Sequence, residues 1–410
     1  MNLKVPIVLL TLFFQVGMLP AAGVDNIRIG AFSDLSGATS DVGWDYARGL
    51  DEALRYINDE GGVNGRKIEL YQFDYGYRAR EVLAKYKVLK RLDINAVLGW
   101  HIVDTETLSP IAAEDKMPYI SAFYSAALTD PAKAPFNIFA ASDESSNARA
   151  ALTAWFDEKW PLHKDYGKRR PRFQCAFMLA SAYAGASIRA IKDQAELFGF
   201  RIGPDVDISL FAVDARRPVR TMISFQPDLV WHGNTLLSVA ATLKAASELD
   251  LGADHIINSW AFDENLPKLA GDAAEGVMGA SVCAFYGEDA PLMDKVMAYG
   301  KKYNPAVPAG RRLVHTVQAW ANALALREAF VRADKAGGLS GGDIMQNGFE
   351  TFRDYDLGLN VPPLTYTAGD HRGTGRVRVY EITNRVFKLV EMVDLQGRWP
   401  DKWARSWFGW

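Results

Sequence analysis

From residue 27 onward, strand-like apolar runs and apolar residues at helical spacing take turns, and this alternation restricts the chain to a layered α/β architecture. IRIGAF (27–32) reads as a strand, after which Ala47, Leu50, Leu54 and Ile57 recur at helical spacing until Gly61 and Gly62 stop the helix. KIELYQFD (67–74), a helix over 78–92, AVLG (96–99), a helix from about Thr105 and PYISA (118–122) continue the rhythm. It restarts after the polar stretch SDESSN (142–147), with strands predicted at 173–179, 207–213, 228–233 and 255–259. Parallel strands need helical crossovers that cover both sheet faces. The expectation is therefore two consecutive doubly wound, parallel-sheet units, followed by long helices near 292–303 and 315–332 and two further strands over 376–383 and 386–393.

Composition narrows the class. The 410 residues are 49% hydrophobic and carry 46 Lys+Arg against 49 Asp+Glu, a net charge of −3. That balance suits a globular chain with large cores and argues against a nucleic-acid partner, which selects basic surfaces. No internal repeat or low-complexity tract is visible.

The N-terminus has the layout of a secretory signal peptide: Lys4, an apolar run from Val5 to Phe14, then Ala21, Ala22 and Gly23. Gln15, Gly17 and Pro20 interrupt the run, which is too short for a membrane span. Residues 1–23 are expected to be removed near Gly23, leaving an exported product. Export permits a disulfide, but Cys175 and Cys283 each sit inside an apolar strand-like run and are expected to be buried separately.

Signatures of catalysis are missing. GASIR at Gly185 and GASVC at Gly279 lack the second Gly of a nucleophile elbow, and GGLSGG (337–342) has neither the spacing nor the preceding strand of a phosphate-binding loop. The six His, at 101, 163, 232, 255, 315 and 371, form no zinc motif. Neighbouring acids such as Asp104 with Glu106, or Asp263 with Glu264, are expected by chance among 49 carboxylates. The chain is read as a non-enzyme with no cofactor and no metal.

One stretch carries a specific resemblance. IRIGAFSDLSGATSDVGWDYARGLDEALRYINDEGGVNGRKIELYQFD (27–74) resembles the opening of periplasmic solute-binding proteins of the leucine/branched-chain amino acid family, above all in the turn Asn58, Gly61, Gly62, Val63, Asn64, Gly65, Arg66 and Lys67. The likeness continues through 96–131, 227–234, 273–281 and 363–373. It implies a periplasmic, monomeric carrier with two lobes, a ligand cleft between them and a hinge of three crossovers. These would lie near Ala141–Glu144, Ala284–Gly287 and Leu359–Pro363. Lobe 1 would then comprise 24–142 plus 284–358, and lobe 2 would comprise 143–283 plus 359–395. The carrier would close on a small organic solute and deliver it to the permease of an ABC importer; a ligand sensor of the same fold, feeding a receptor or regulator, is the alternative.

Open parallel sheets bind ligands beyond the carboxyl ends of their strands, which directs attention to 99–105, 121–125 and Asn234. The resemblance assigns Thr105 and Ser125 to a solute carboxylate and Tyr183 to an aromatic that closes over the solute. It also expects an acid after the strand at 255–259, where this chain reads Trp260-Ala261-Phe262-Asp263, so that acid is absent or displaced to Asp263. Trp100, Phe123, Tyr124 and Trp260 add rings to the predicted cleft and favour a flat or apolar solute body, such as an aromatic carboxylate or an amino acid. Residues 396–410 form a Trp-rich tail in which Trp399, Trp403 and Trp407 recur every fourth residue. It either packs on its own lobe or offers a docking surface.

Overall fold

The computed structural model describes residues 25–410; the expected signal segment lies outside them. Five parallel strands, β1 (Ile27–Ser33), β2 (Ile68–Asp74), β3 (Ala96–Leu98), β4 (Tyr119–Ile120) and β5 (Asn137–Ile138), form the first sheet in the order β2-β1-β3-β4-β5. The second contains β6 (Arg172–Phe177), β7 (Arg201–Ile202), β8 (Val206–Asp207), β9 (Leu229–His232), β10 (Asp254–Ile257), β11 (Met278–Ser281), β12 (Arg376–Thr383) and β13 (Val386–Asp394). Its order is β13-β12-β11-β10-β9-β6-β7, with β8 also pairing with β6. Pairing is parallel from β6 to β11, and β12 and β13 complete the sheet as an antiparallel hairpin.

Both sheets reverse direction of growth, the first between β1 and β3 and the second between β6 and β9. Such switch points open a crevice at the strand C-termini. The apolar runs read in the sequence supply the buried strands: in β1 every residue except Arg28 is buried, because helices cover both faces.

The turn motif has a physical explanation. Gly62 adopts φ +67°, and a Cβ there would meet Arg66 O at 2.1 Å. The Asn58 side chain accepts from Ile68 N at 2.8 Å and donates to Ile68 O at 2.9 Å, clamping the start of β2. Asn64 and Arg66 both reach Asp334 near the end of the helix Val314–Ala336. That helix packs on Ser40–Asp59, where Gly49 permits close approach: a Cβ would lie 2.7 Å from Thr316 O.

Two expectations change. The strand predicted at 207–213 shortens to β8, and the following turn leaves Phe211 70% and Val213 90% exposed, so this apolar run is a lip beside the crevice instead of sheet core. The third interlobe passage also comes later than Leu359–Pro363. Leu364 bridges Tyr355, Tyr366 Oη donates to Phe139 O at 2.8 Å and His371 N donates to Thr129 O, so the chain stays with the first lobe to residue 371. It crosses beside Gly373, where a Cβ would lie 2.9 Å from Ala141 O on the first passage.

Cys175 and Cys283 are free and buried. The tail packs on its own lobe: Trp403 and Trp407 are buried, Arg372 stacks on Trp403 at 3.9 Å, and Arg149 stacks on Trp407 at 4.3 Å. Trp407 Nε1 donates to Asp193 at 2.9 Å. Replacing this indole by phenyl removes a hydrogen bond to a charged acceptor while keeping most of the packing. Trp407→Phe is therefore expected to cost about 2 kcal/mol, measured as a lower urea midpoint with an unchanged slope.

Candidate functional site

The crevice between the sheets is walled by loops that leave the strand C-termini. After β3 come Trp100 and His101, after β4 Phe123 and Tyr124, and after β10 Trp260 and Asp263, while Tyr183 lies in the short helix Ala182–Gly185. A cavity of about 210 Å³ is lined by Trp100, His101, Tyr183, Trp260, Asp263 and Tyr77, among others. Leu210, Phe211, Leu236 and Leu237 extend its wall on the second lobe.

Trp260 joins the two lobes. Its ring stacks on Tyr124 at 5.9 Å and on His315 at 5.5 Å, and meets Trp100 and His101 edge-on at 5.6 and 4.8 Å. The loop carrying it is fixed by Asn258, whose Oδ1 accepts from Trp260 N and whose Nδ2 donates to the backbone of His232 and Asn234. Trp260 also borders a second, smaller recess that includes Phe123, Tyr183, Glu144 and Ser187.

The lobe 1 wall is built by the fully buried Asp104. One oxygen accepts from Tyr75 Oη and His101 N, both at 2.8 Å; the other accepts from Tyr119 Oη at 2.5 Å and Trp100 N at 2.7 Å. Two backbone N–H groups and two phenols thus converge on its oxygens, and burial pushes this carboxyl above its ordinary value despite those hydrogen bonds. The helix therefore begins at Ile102 instead of near Thr105. Trp100 Nε1 donates to Thr39 Oγ1 at 2.9 Å, tying this loop to the start of Ser40–Asp59.

The sequence-derived candidates separate accordingly. Trp100, Tyr183, Trp260 and Asp263 share the larger cavity; Phe123 faces the smaller recess, and Tyr124 is a buried support for Trp260. Thr105 lies outside the cavity wall and is fully buried, its hydroxyl 3.0 Å from Ser121 Oγ. Ser125 precedes the 3-10 turn Ala126–Thr129 and lines neither cavity. The two hydroxyls expected to hold a carboxylate are thus not brought together there. Asn234 is occupied structurally: it accepts from Met178 N at 2.8 Å and donates to Ile208 O at 2.9 Å, locking adjacent strand ends.

The sequence does not mark His101, Asp104, Glu144 or Asn258 as site residues. The only signal was their position beside strand ends, shared with many polar residues. His101 places Nδ1 2.6 Å from Tyr77 Oη, and burial together with His315 pushes its pKa down to about 3, so it is a neutral ring in the wall. Asp263 Oδ1 accepts from Asn265 N at 2.8 Å; Oδ2 has no hydrogen-bond partner and lies 3.8 Å from His315 Nε2. Burial opposes charging of His315, but Asp263 and Gln318 outweigh it and raise its pKa. Among the described residues, no group of three His, Cys, Asp or Glu is placed to hold a metal.

Glu144 gives the site a pH signature. It accepts from Ser259 Oγ at 2.8 Å, and burial, reinforced by Asp143, pushes its pKa from 4.5 to about 7. A carboxyl whose folded pKa lies above its unfolded one binds more protons when folded, so its stabilising contribution is present below about pH 4.5 and lost as pH rises toward 7. Glu144→Gln is expected to melt above wild type at pH 8, with the difference closing by pH 4. Glu264, also raised to about 7, keeps some slope in the variant.

Comparison with known proteins places this geometry. A family model described as periplasmic binding protein matches residues 26–386. Among solved structures, a substrate-binding protein of an ABC transporter from Aeropyrum pernix is 28% identical, with a TM-score of 0.79 over 91% of this chain and 96% of that one. A branched-chain amino acid ABC transporter protein from Thermus thermophilus with bound valine is 20% identical, with a TM-score of 0.80 over 92% and 99%. A solute-binding protein from R. palustris in complex with 4-hydroxybenzoate is 15% identical, with a TM-score of 0.73 over 92% and 99%. No curated protein matches the sequence. With two parallel-sheet lobes facing each other across a crevice, and a family match over most of its length, the chain belongs to the periplasmic binding protein family, with its type I fold.

Proposed function

We propose that the chain is the exported solute-binding component of an ABC importer, which closes by hinge motion on a small organic solute with a flat or apolar body and presents it to a membrane permease. No covalent chemistry is involved. The observation that carries this reading is the aromatic cavity between the lobes, in which Trp260 of the second lobe rests on Tyr124 and His315 of the first. Burial of a flat solute against Trp100, Tyr183 and Trp260 supplies affinity, while a few polar groups set orientation. Support for an importer comes from the family and from structural neighbours described as ABC transporter binding proteins. Export is supported by the signal-like segment 1–23.

A thermal-shift screen of the protein against amino acids, aromatic acids, short organic acids and amides tests the proposal. A true ligand at 100 times its Kd adds about 2.7 kcal/mol of stability by mass action. Tight binding of leucine or valine with no response to any aromatic solute would overturn the assignment of the rings to the solute body.

A further inference from the structure

On the reading of the cleft as the solute site, the smaller recess beside the main cavity selects a second part of the solute. Tyr183 and Trp260 line both spaces, so a flat body lying among the rings of the larger one has an edge at the recess. The recess has a volume of about 10 Å³, the room that one water-sized group needs. Phe123 covers it from the first lobe, so it is complete only when the lobes meet.

Its walls hold two polar groups with nothing to bond. Glu144, 4% exposed, is the sole charged side chain among the described residues lining it. One oxygen accepts from Ser259 Oγ at 2.8 Å, while Oε2 has no donor: Trp260 lies near enough to favour the carboxylate, but its Nε1 completes no hydrogen bond. Tyr183 Oη likewise bonds to no described residue. Burial first, and Glu144 second, push its pKa up, so this phenol keeps its proton and can donate. The other polar side chains are occupied: Asn258 is spent on backbone groups, and Ser187 Oγ donates to Glu144 O at 3.2 Å. Buried polar groups left unbonded are costly unless a ligand satisfies them.

The balance of donors and acceptors defines what fits. One free acceptor stands with the Tyr183 donor, and the indole N–H groups of Trp231 and Trp260, both buried without partners, add donor character to the lining. An ammonium brings donors alone and would leave the Tyr183 proton unmatched; a carboxylate brings acceptors alone and would face Glu144. A hydroxyl both accepts and donates. We propose that the recess is a hydroxyl subsite: the solute carries an alcohol or phenol group at the edge of its flat body, accepting from Tyr183 Oη and donating to Glu144 Oε2.

Calorimetry on the full chain with pairs that differ only in a ring hydroxyl tests this: tyrosine against phenylalanine, tyramine against 2-phenylethylamine, and 3-(4-hydroxyphenyl)propionate against 3-phenylpropionate. These pairs carry zwitterionic, cationic and anionic ends, so the outcome does not hang on the charge of the rest of the solute. In every pair that binds, the hydroxylated member is expected to bind about tenfold to a hundredfold more tightly, the worth of a hydrogen bond to a charged group. Tyr183→Phe is expected to bring that ratio within about threefold. The wild-type pairs decide the question even if the variant folds poorly. Equal affinities within each pair, as when water alone occupies the recess, would overturn the hydroxyl subsite and leave the aromatic cleft intact. A preference that Tyr183→Phe does not reduce would place the hydroxyl elsewhere and overturn it as well. Binding of no member of any pair would overturn both the subsite and the aromatic reading of the cleft.

Discussion

Arg312→Leu is expected to lower stability by about 3–5 kcal/mol, because it strands a buried carboxylate. Arg312 and Glu52 are nearly inaccessible, with side-chain exposures of 1% and 0%. The guanidinium meets both carboxylate oxygens, Nη2 to Oε1 at 2.5 Å and Nη1 to Oε2 at 3.3 Å, and Asn304 Nδ2 adds a third bond at 2.6 Å. Burial, reinforced by Asp45, pushes the Glu52 carboxyl up, and Arg312 is the main opposing influence. Without Arg312 the folded pKa rises further above the unfolded one, so the deficit of the variant should grow as pH climbs from about 4.5 and shrink below it. Glu52→Leu combined with Arg312→Leu should be more stable than Arg312→Leu alone, since replacing a whole buried pair by apolar groups is often neutral. Urea midpoints of the three proteins at pH 5 and 8 provide the check, and a double variant weaker than the single one would contradict the argument. The pair joins Ser40–Asp59 to the entry of Val314–Ala336, whose first turn carries His315 against Trp260, so its loss should also loosen the cleft.

The distance between what the sequence discloses and what the cleft contains follows from the range of the interactions involved. The βαβ rhythm is local: apolar runs in β1 and β9 announce buried strands because both faces of a parallel sheet are covered, and Asn58, Gly62, Asn64 and Arg66 announce a turn because each closes a bond or an approach that few residue types permit. Phe211 belongs to an equally apolar run, yet it borders a crevice, and hydrophobicity does not distinguish facing a core from facing a cavity. Rotation decides where Thr105 points. One residue along a helix turns a side chain by about 100°, so a start at Ile102 brings Asp104 onto the N–H groups of the preceding loop and sends Thr105 inward to Ser121. Asn234, at a strand end as expected, is consumed in joining neighbouring strands. The rings are less sensitive to such details, because a large aromatic side chain reaches the crevice from several neighbouring backbone positions.

Asp104→Asn should therefore have a large effect although Asp104 lines neither cavity. Its carboxylate is the acceptor for two backbone N–H groups and two phenols, each buried. An amide retains one acceptor oxygen and presents an NH2 group to the donors on the other side, leaving either His101 N with Tyr75 Oη or Trp100 N with Tyr119 Oη unmatched. At about 1–3 kcal/mol for each stranded buried donor, the expected loss is roughly 2–6 kcal/mol. Asp104→Ala should cost more, since all four donors lose their acceptor. Trp100 and His101 supply adjacent stretches of the cavity wall, and both hold Trp260 edge-on. The stability loss should thus be accompanied by altered near-ultraviolet circular dichroism from the Trp100–Trp260 contact and by at least tenfold weaker binding of any solute found in the thermal-shift screen. A variant within about 0.5 kcal/mol of wild type, the scatter of ordinary surface substitutions, would show that Asp104 does not build this wall. Loss of stability without loss of binding would separate the capping of the helix from the positioning of the rings.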